Sequence, residues 1–205
     1  MTTITAQCIP ERLDYIKNEL KALKGVVYHV DEERKGSFGS FKDMLSIKVA
    51  DYRLHLQDDV ILADNFGDAI PDIEALMDVR GIDVLSLFAP RRKRIIEAYN
   101  QNILIDEFPN FLWLQATMFS ARFVGLMQME IEYTNQTKHD DVFVADVLKK
   151  YGVKAYVFLP SLVQHNVDLG SSMSHANSKR RTSPVFDKDF IKKTQGLNAS
   201  HTASR

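Results

Sequence analysis

The sequence lacks several features that would place it among secreted or membrane proteins. It contains a single cysteine, Cys8, in 205 residues, which excludes an internal disulfide framework and a multi-cysteine zinc site and is typical of a reducing compartment. No segment approaches the roughly 20 consecutive apolar residues that a transmembrane helix needs. Residues 1–6 are too polar for the start of a secretory signal. We therefore expect a cytoplasmic protein that does not associate with membranes.

Acidic and basic residues are nearly equal in number over the whole chain, and the formal net charge is -1. The C-terminal part is different, because residues 176–205 contain seven lysines and arginines against two aspartates. With 45% hydrophobic residues the chain can bury a substantial core. We expect one domain over residues 1–190, followed by a basic, flexible tail over 191–205.

The order of apolar segments predicts an α/β fold. Residues 2–9 form a short β-rich segment, a helical pattern runs from Pro10 until Gly25 closes it, and residues 26–30 form a second strand. A strand, helix and strand in succession are typical of a parallel sheet. Further strand patterns cover residues 84–88 and 154–159. We expect a mostly parallel central sheet flanked by helices.

Two adjacent carboxylates, Asp58 and Asp59, follow the buried strand that begins at Tyr52. An unpaired carboxylate is costly inside a sheet. Hard divalent cations prefer oxygen ligands, so a cation at this strand end would account for the pair. A solvated turn or a helix cap would account for it equally well.

Three other polar segments also bear on function. The loop that follows Asp31 lies after a strand, where open α/β sheets bind ligands. Residues 91–94 form the run Arg-Arg-Lys-Arg, which is either a solvated face or a phosphate contact. Asp140 and Asp141 begin a helical pattern, where capping and the helix dipole favour acidic residues.

Four fragments together resemble the GT-A fold (Rossmann-like) glycosyltransferases, which use nucleotide sugars and a divalent metal. They are the opening strand with Pro10-Glu11-Arg12, the sequence His-Val-Asp at 29–31 with Lys35-Gly36, the Leu-Gln-Asp-Asp sequence at 56–59, and the Pro-Ser-Leu-Val-Gln-His sequence at 160–165. The resemblance covers residues 3–186. The Asp-X-Asp metal motif of the family has an acid at its first position, whereas this chain has Gln57.

The resemblance implies a transferase that moves a sugar from a nucleotide-sugar donor, expected to be a UDP-sugar, to a hydroxyl group. Asp59 and His165 would bind Mn²⁺ or Mg²⁺, which stabilises the diphosphate leaving group as a Lewis acid. The implied donor-binding residues are Asp31, Lys35, Asp58, Ser171, Arg180 and Arg181. Inverting members take a general base from the start of a late helix, where Asp141 is the first choice if the helix begins there and Asp140 is the alternative.

The small size of the chain resembles bacteriophage glycosyltransferases that modify hydroxylated bases of DNA. Arg91, Arg92 and Trp113 would then contact a DNA acceptor, and a phage-encoded enzyme would act in the host cytoplasm. A surface glycan or a small molecule is the alternative acceptor. We expect no obligate protein partner.

Two other classes stay open. Because Gln57 replaces an acid, the chain could be an inactive module of the same fold that only binds a nucleotide or a nucleic acid. A sugar nucleotidyltransferase would also need an α/β fold and a metal. Such enzymes carry a glycine-rich loop near the N-terminus, whereas residues 1–25 of this chain include a single glycine, Gly25.

Overall fold

The computed structural model describes residues 1–134, 139–169 and 182–191. These residues form nine strands and six α-helices. The strands are β1 (Thr2–Cys8), β2 (Val27–Val30), β3 (Tyr52–Gln57), β4 (Val60–Leu62), β5 (Val84–Ser86), β6 (Ile105–Glu107), β7 (Ala116–Ser120), β8 (Ala155–Phe158) and β9 (Val163–His165). The helices are α1 (Leu13–Glu19), α2 (Gly36–Leu45), α3 (Phe66–Arg80), α4 (Lys93–Asn100), α5 (Ala121–Tyr133) and α6 (Asp140–Tyr151). Two short 3-10 helices cover Pro10–Arg12 and Val167–Leu169.

Seven strands form a central sheet in the order β2-β1-β3-β7-β5-β8-β6. The pairs β1 with β2, β1 with β3 and β5 with β8 are parallel, whereas β7 and β6 run antiparallel to their neighbours. Five strands therefore point one way and two the other. The expected α/β class with a mostly parallel central sheet is confirmed.

Both faces of the sheet are covered by helices. Ile16 of α1 and Ile73 and Met77 of α3 pack with Leu54 and Leu56 in one hydrophobic core. The opposite core contains side chains from α2, α4, α5 and α6, such as Phe41, Ile95, Phe123 and Val144. None of the described helices has the length and apolar composition needed to cross a membrane.

Strand β3 is buried on both of its faces, which explains its composition. Leu54 and Leu56 enter the first core, while Arg53 and His55 point to the opposite side and are also fully buried. Arg53 donates to the carbonyl of Ile47, just beyond the C-terminal end of α2, where the helix dipole favours a cation. Burial lowers the pKa of His55 to about 3, so its ring is neutral at pH 7.

A second, two-stranded sheet pairs β4 with β9 antiparallel, with Val60 opposite His165. The chain leaves the central sheet at Gln57, turns through Asp58 and Asp59, and enters this small sheet at Val60. The turn between the two sheets is therefore the point where the two acidic residues predicted from the sequence lie.

Candidate functional site

The carboxyl ends of β1, β2 and β3 meet at one edge of the central sheet. Their register pairs Cys8 with Val30 and Gln7 with Gln57. The residues that follow these strands are consequently neighbours: Asp31 donates its backbone N–H to the carbonyl of Cys8, and Ile9 donates its own to Asp58. Side chains that are distant in the sequence are brought together at this edge.

Asp58 is held from two directions. Its Oδ2 accepts from the backbone N–H of Ile9 at 2.9 Å, and its Oδ1 accepts from Nη1 of Arg12 at 2.7 Å. Arg12 is itself buried and also donates to the carbonyl of Leu169 at 3.3 Å. Burial raises the pKa of Asp58, and the Arg12 guanidinium beside it counteracts this rise. Both oxygens of Asp58 are thus occupied by protein groups that fix the turn.

Asp59 points the other way, toward β9. Its Oδ2 lies 3.1 Å from Nε2 of His165, a residue 106 positions later in the chain. The backbone N–H of Asn166 donates to the carbonyl of Asp59 at 2.6 Å, and Nη1 of Arg12 lies 3.7 Å from Asp59 Oδ2. The two side chains predicted as metal ligands therefore lie side by side, and His165 is 2% exposed.

Tyr15 and Asn166 stabilise the segments that carry Asp59 and His165. The hydroxyl of Tyr15 donates to the carbonyl of Val60 at 2.7 Å and accepts from Nδ2 of Asn166 at 3.0 Å. Helix α1 is thereby tied to the first residue of β4 and to the residue after His165. No sequence motif marks either side chain, because each acts only through contacts made in the folded chain.

The Asp59–His165 pair fits a divalent cation that arrives with other ligands. Asp59 Oδ1 and His165 Nδ1 are both buried without a hydrogen-bond partner among the described residues, and such atoms are uncommon unless water or an ion satisfies them. Carboxylate with imidazole suits Mn²⁺. Within residues 1–134, 139–169 and 182–191, no group of three or more His, Cys, Asp or Glu side chains could enclose a metal. A cation here would take its remaining ligands from a substrate and from water.

Asp140 and Asp141 occupy the start of α6, which begins at Asp140 rather than at Asp141. Asp140 is 4% exposed, and its Oδ2 accepts from Nε2 of Gln57 at 3.2 Å. Burial, and then the negative charge of Asp141, raise the pKa of Asp140 to about 6. This carboxylate therefore lies against the residue that precedes Asp58 and Asp59.

Asp141 faces a different part of the chain. Its Oδ1 accepts from the backbone N–H of Val142 at 2.8 Å, and its Oδ2 accepts from the backbone N–H of Trp113 at 3.2 Å. Trp113 has a φ of 75°, a left-handed conformation that is uncommon for a bulky residue. Asp141 thus anchors the loop that carries the half-buried Trp113, whose ring packs edge-on against Phe88.

The predicted donor-binding residues are only partly in one place. Asp31 lies at the same sheet edge as Asp58, and its two oxygens accept from the backbone N–H groups of Lys35 and Gly36 at the start of α2. Lys35 is exposed and pairs with Asp43 and Glu33. Ser171, Arg180 and Arg181 lie outside the described residues.

Three members of the basic run have partners within the chain. Arg92 donates to the carbonyls of Pro109 and Asn110, and its guanidinium lies over the ring of Phe108. Arg94 pairs in bidentate fashion with Asp106, and Lys93 pairs with Glu97 one turn along α4. Arg91 is exposed. The run therefore lies at the start of α4, and Arg92 and Arg94 bond this helix end to residues 106–110.

A comparison with protein-family models finds no match, and a comparison with curated protein sequences finds none either. Solved structures of similar fold share little sequence with this chain. A mutant of Drosophila beta-1,4-galactosyltransferase 7, in complex with manganese, UDP-Gal and xylobiose, is 12% identical with a TM-score of 0.45, covering 92% of this chain and 79% of that chain.

Two other structures are comparably similar. The protein A197 from STIV is 15% identical with a TM-score of 0.44, over 80% of this chain and 84% of that chain. A CMP:2-keto-3-deoxy-manno-octonic acid synthetase complexed with CTP is 9% identical with a TM-score of 0.43, over 98% and 99% of the two chains. Likenesses at this level carry no argument about the activity of this chain, which must be inferred from its own residues.

The buried ion pair yields a prediction for stability. Arg12→Met should lower the free energy of unfolding by about 3–5 kcal/mol at pH 7, because it leaves the Asp58 carboxylate buried and uncompensated. The control is Arg34→Met, which removes an arginine from the exposed pair with Glu11 and should change stability by less than about 1 kcal/mol. Urea denaturation measures both. Equal effects of the two variants would contradict the structural role of Arg12.

The raised pKa of Asp140 yields a prediction for pH dependence. Since the folded protein binds this proton more tightly than the unfolded chain, stability should fall as pH rises from about 4 to about 6. Raising the pKa of Asp140 from an ordinary aspartate value to about 6 costs about 3 kcal/mol of stability at pH 7. Asp140→Asn removes this loss and should be the more stable protein at pH 7 by up to that amount. Parallel stability curves for Asp140→Asn and wild type between pH 4 and pH 7 would contradict the assignment.

Proposed function

We propose that the protein is a metal-dependent glycosyltransferase that moves a sugar from a nucleotide sugar, with a UDP-sugar as the expected donor, to a hydroxyl group of an acceptor. The observation that carries the proposal is the meeting of Asp59 and His165 at 3.1 Å, each with a buried atom that has no protein partner among the described residues. The resemblance in four sequence fragments suggests the reaction class, and the contact between the two side chains supports this choice of metal ligands.

Asp59 and His165 are the residues that would hold Mn²⁺ or Mg²⁺. The bound cation would supply Lewis-acid stabilisation of the negative charge that develops on the nucleoside diphosphate leaving group. Asp58 does not act as a ligand in this scheme, because Arg12 and the Ile9 amide occupy its oxygens. Its role is to hold the turn so that the Asp59 carboxylate faces His165.

Asp140 is the general base in this proposal, in preference to Asp141. In an inverting transfer the acceptor oxygen bonds to the anomeric carbon, the bond from that carbon to the diphosphate oxygen breaks, and the hydroxyl proton passes to the base. A carboxylate with a pKa near 6 is ionised at pH 7 and is a stronger base than an ordinary aspartate. Asp141 instead holds the Trp113 loop through that residue's amide.

The site should lose its metal when either ligand is changed. Asp59→Asn and His165→Gln are expected to weaken Mn²⁺ binding in the presence of UDP at least tenfold, measured by electron paramagnetic resonance of free Mn²⁺, and to abolish UDP-sugar hydrolysis and transfer. Asp72→Asn, on the exposed face of α3, is the control. Undiminished Mn²⁺ binding in both ligand variants would contradict the metal assignment. Mn²⁺ and UDP binding without turnover of any sugar nucleotide would indicate a binding module instead.

DNA with a hydroxylated base is the acceptor we propose, with Trp113 and Arg91 as its contacts. Trp113 is half-buried next to Asp141 and could stack on an extruded base. Arg92 and Arg94 have intramolecular partners, whereas Arg91 is exposed and is therefore our choice in the run for a phosphate contact. Surface glycans and small hydroxylated molecules are the competing acceptors.

A salt series tests the DNA acceptor. Each phosphate contact should contribute about 0.9 to the slope of log affinity against log salt on duplex DNA. Arg91→Gln should therefore lower the magnitude of that slope by about 0.9, while Arg94→Gln, whose guanidinium is paired in bidentate fashion with Asp106, should leave it unchanged. Undetectable or salt-independent binding of duplex DNA at low ionic strength would exclude DNA and favour a glycan.

A further inference from the structure

Gln57 occupies the position at which the metal motif of the resembled family has an acid, yet its side chain does not face the proposed metal ligands. It is the last residue of β3, and its Nε2 donates to Oδ2 of Asp140 at 3.2 Å. Asp58 and Asp59, which follow it, contact Arg12 and His165 instead. Three consecutive side chains therefore reach three separate parts of the chain, and the first of them reaches α6.

The charges around Asp140 make an amide suitable at this contact. Asp141 is the charged neighbour that acts on Asp140, and His139 precedes it on the exposed side of the helix start. Asp58, next to Gln57, directs its oxygens to Arg12 and the Ile9 amide. No lysine, arginine or histidine within the described ranges forms an ion pair with Asp140. An acid at position 57 would thus place a second negative charge about 3 Å from Asp140, and no cation there would compensate for it.

An amide at position 57 has the opposite effect. Its N–H group donates to the carboxylate, and a hydrogen bond to the ionised form favours that form. The same bond fixes one oxygen of Asp140, while the backbone N–H of Asp141 fixes the other at 3.0 Å. The Asp140 carboxylate is therefore oriented by one contact from the sheet and one from its own helix.

We propose that Gln57 is the positioning residue of Asp140: its side-chain amide orients the carboxylate and keeps it ionised, so that the departure from an acid at position 57 serves the general base and not the metal. This inference rests on the proposed function for its catalytic meaning. The link between the two side chains can be tested without any substrate.

Two variants and one control separate the amide's effect from packing. Gln57→Met keeps the length of the side chain and removes the donor. Gln57→Glu keeps the shape, removes the donor and adds a charge. Gln115→Met is the control, because Gln115 is a buried glutamine whose backbone carbonyl accepts from the N–H of Gln57 in the neighbouring strand, while the hydrogen bond to Asp140 comes from Gln57.

The first measurement is the titration of the Asp140 carboxyl by carbon-13 NMR, assigned with Asp140→Asn. Its pKa should rise by about one unit in Gln57→Met and further in Gln57→Glu, and it should not move in Gln115→Met. An Asp140 titration that is the same in wild type, Gln57→Met and Gln57→Glu would overturn the proposal, whatever the activity of the proteins.

The second measurement is the pH profile of sugar transfer or donor hydrolysis. The apparent pKa of its acidic limb should rise together with the pKa of Asp140 measured by NMR. Gln57→Glu should therefore be about tenfold slower than wild type below pH 6 and closer to it above pH 8. A purely structural role would lower the rate equally at all pH values and would overturn the positioning role. Wild-type protein without turnover of any sugar nucleotide would overturn the proposed function, while the NMR result would still decide the link between Gln57 and Asp140.

Discussion

The buried ion pair between Arg12 and Asp58 is the contact on which the geometry of the site depends. It joins the segment after β1 to the turn after β3, and the Ile9 amide strengthens the same junction. Two adjacent carboxylates would repel each other in a buried turn, but a guanidinium 2.7 Å from one and 3.7 Å from the other compensates for both. With Asp58 fixed in this way, the next residue must point toward β9, where it contacts His165.

The site is assembled where two sheets meet. The central sheet ends at Gln57 and the small sheet begins at Val60, so the turn can present side chains to elements on several sides. Gln57 contacts the start of α6, Asp58 contacts Arg12, and Asp59 contacts His165. Consecutive residues at this turn therefore include one proposed metal ligand, Asp59, and the residue that contacts the proposed base, Gln57.

The main features of the fold could be predicted from the sequence because apolar periodicity reports burial. The opening strand, helix and strand, the buried strand at Tyr52 and the strand at 155–158 were found in this way, although α1 ends at Glu19 and not near Gly25. The small sheet was missed, because β4 and β9 have three residues each and their pairing depends on contacts about a hundred residues apart. Asp59 and His165 were found as a pair only through the family resemblance.

The roles of individual polar side chains were harder to predict, because they depend on partners that are distant in the sequence. In the sequence Arg12 belongs only to the helical pattern that starts at Pro10, and nothing near it in the chain indicates Asp58 as its partner. The sequence leaves the run at 91–94 as either a solvated face or a phosphate contact, whereas the fold supplies Asp106 for Arg94 and two carbonyl groups for Arg92. Gln57 departs from the family motif, and only the folded chain shows that it contacts Asp140 at the start of α6.

The central proposal is that Asp59 and His165 together bind the cation that accompanies a nucleoside diphosphate. The most direct test is anomalous diffraction at the manganese edge from crystals grown with Mn²⁺ and UDP. We expect one strong anomalous peak within coordination distance of Asp59 and His165, next to the diphosphate. Bound UDP with the manganese peak at any other place, or with no peak beside these two residues, would contradict it.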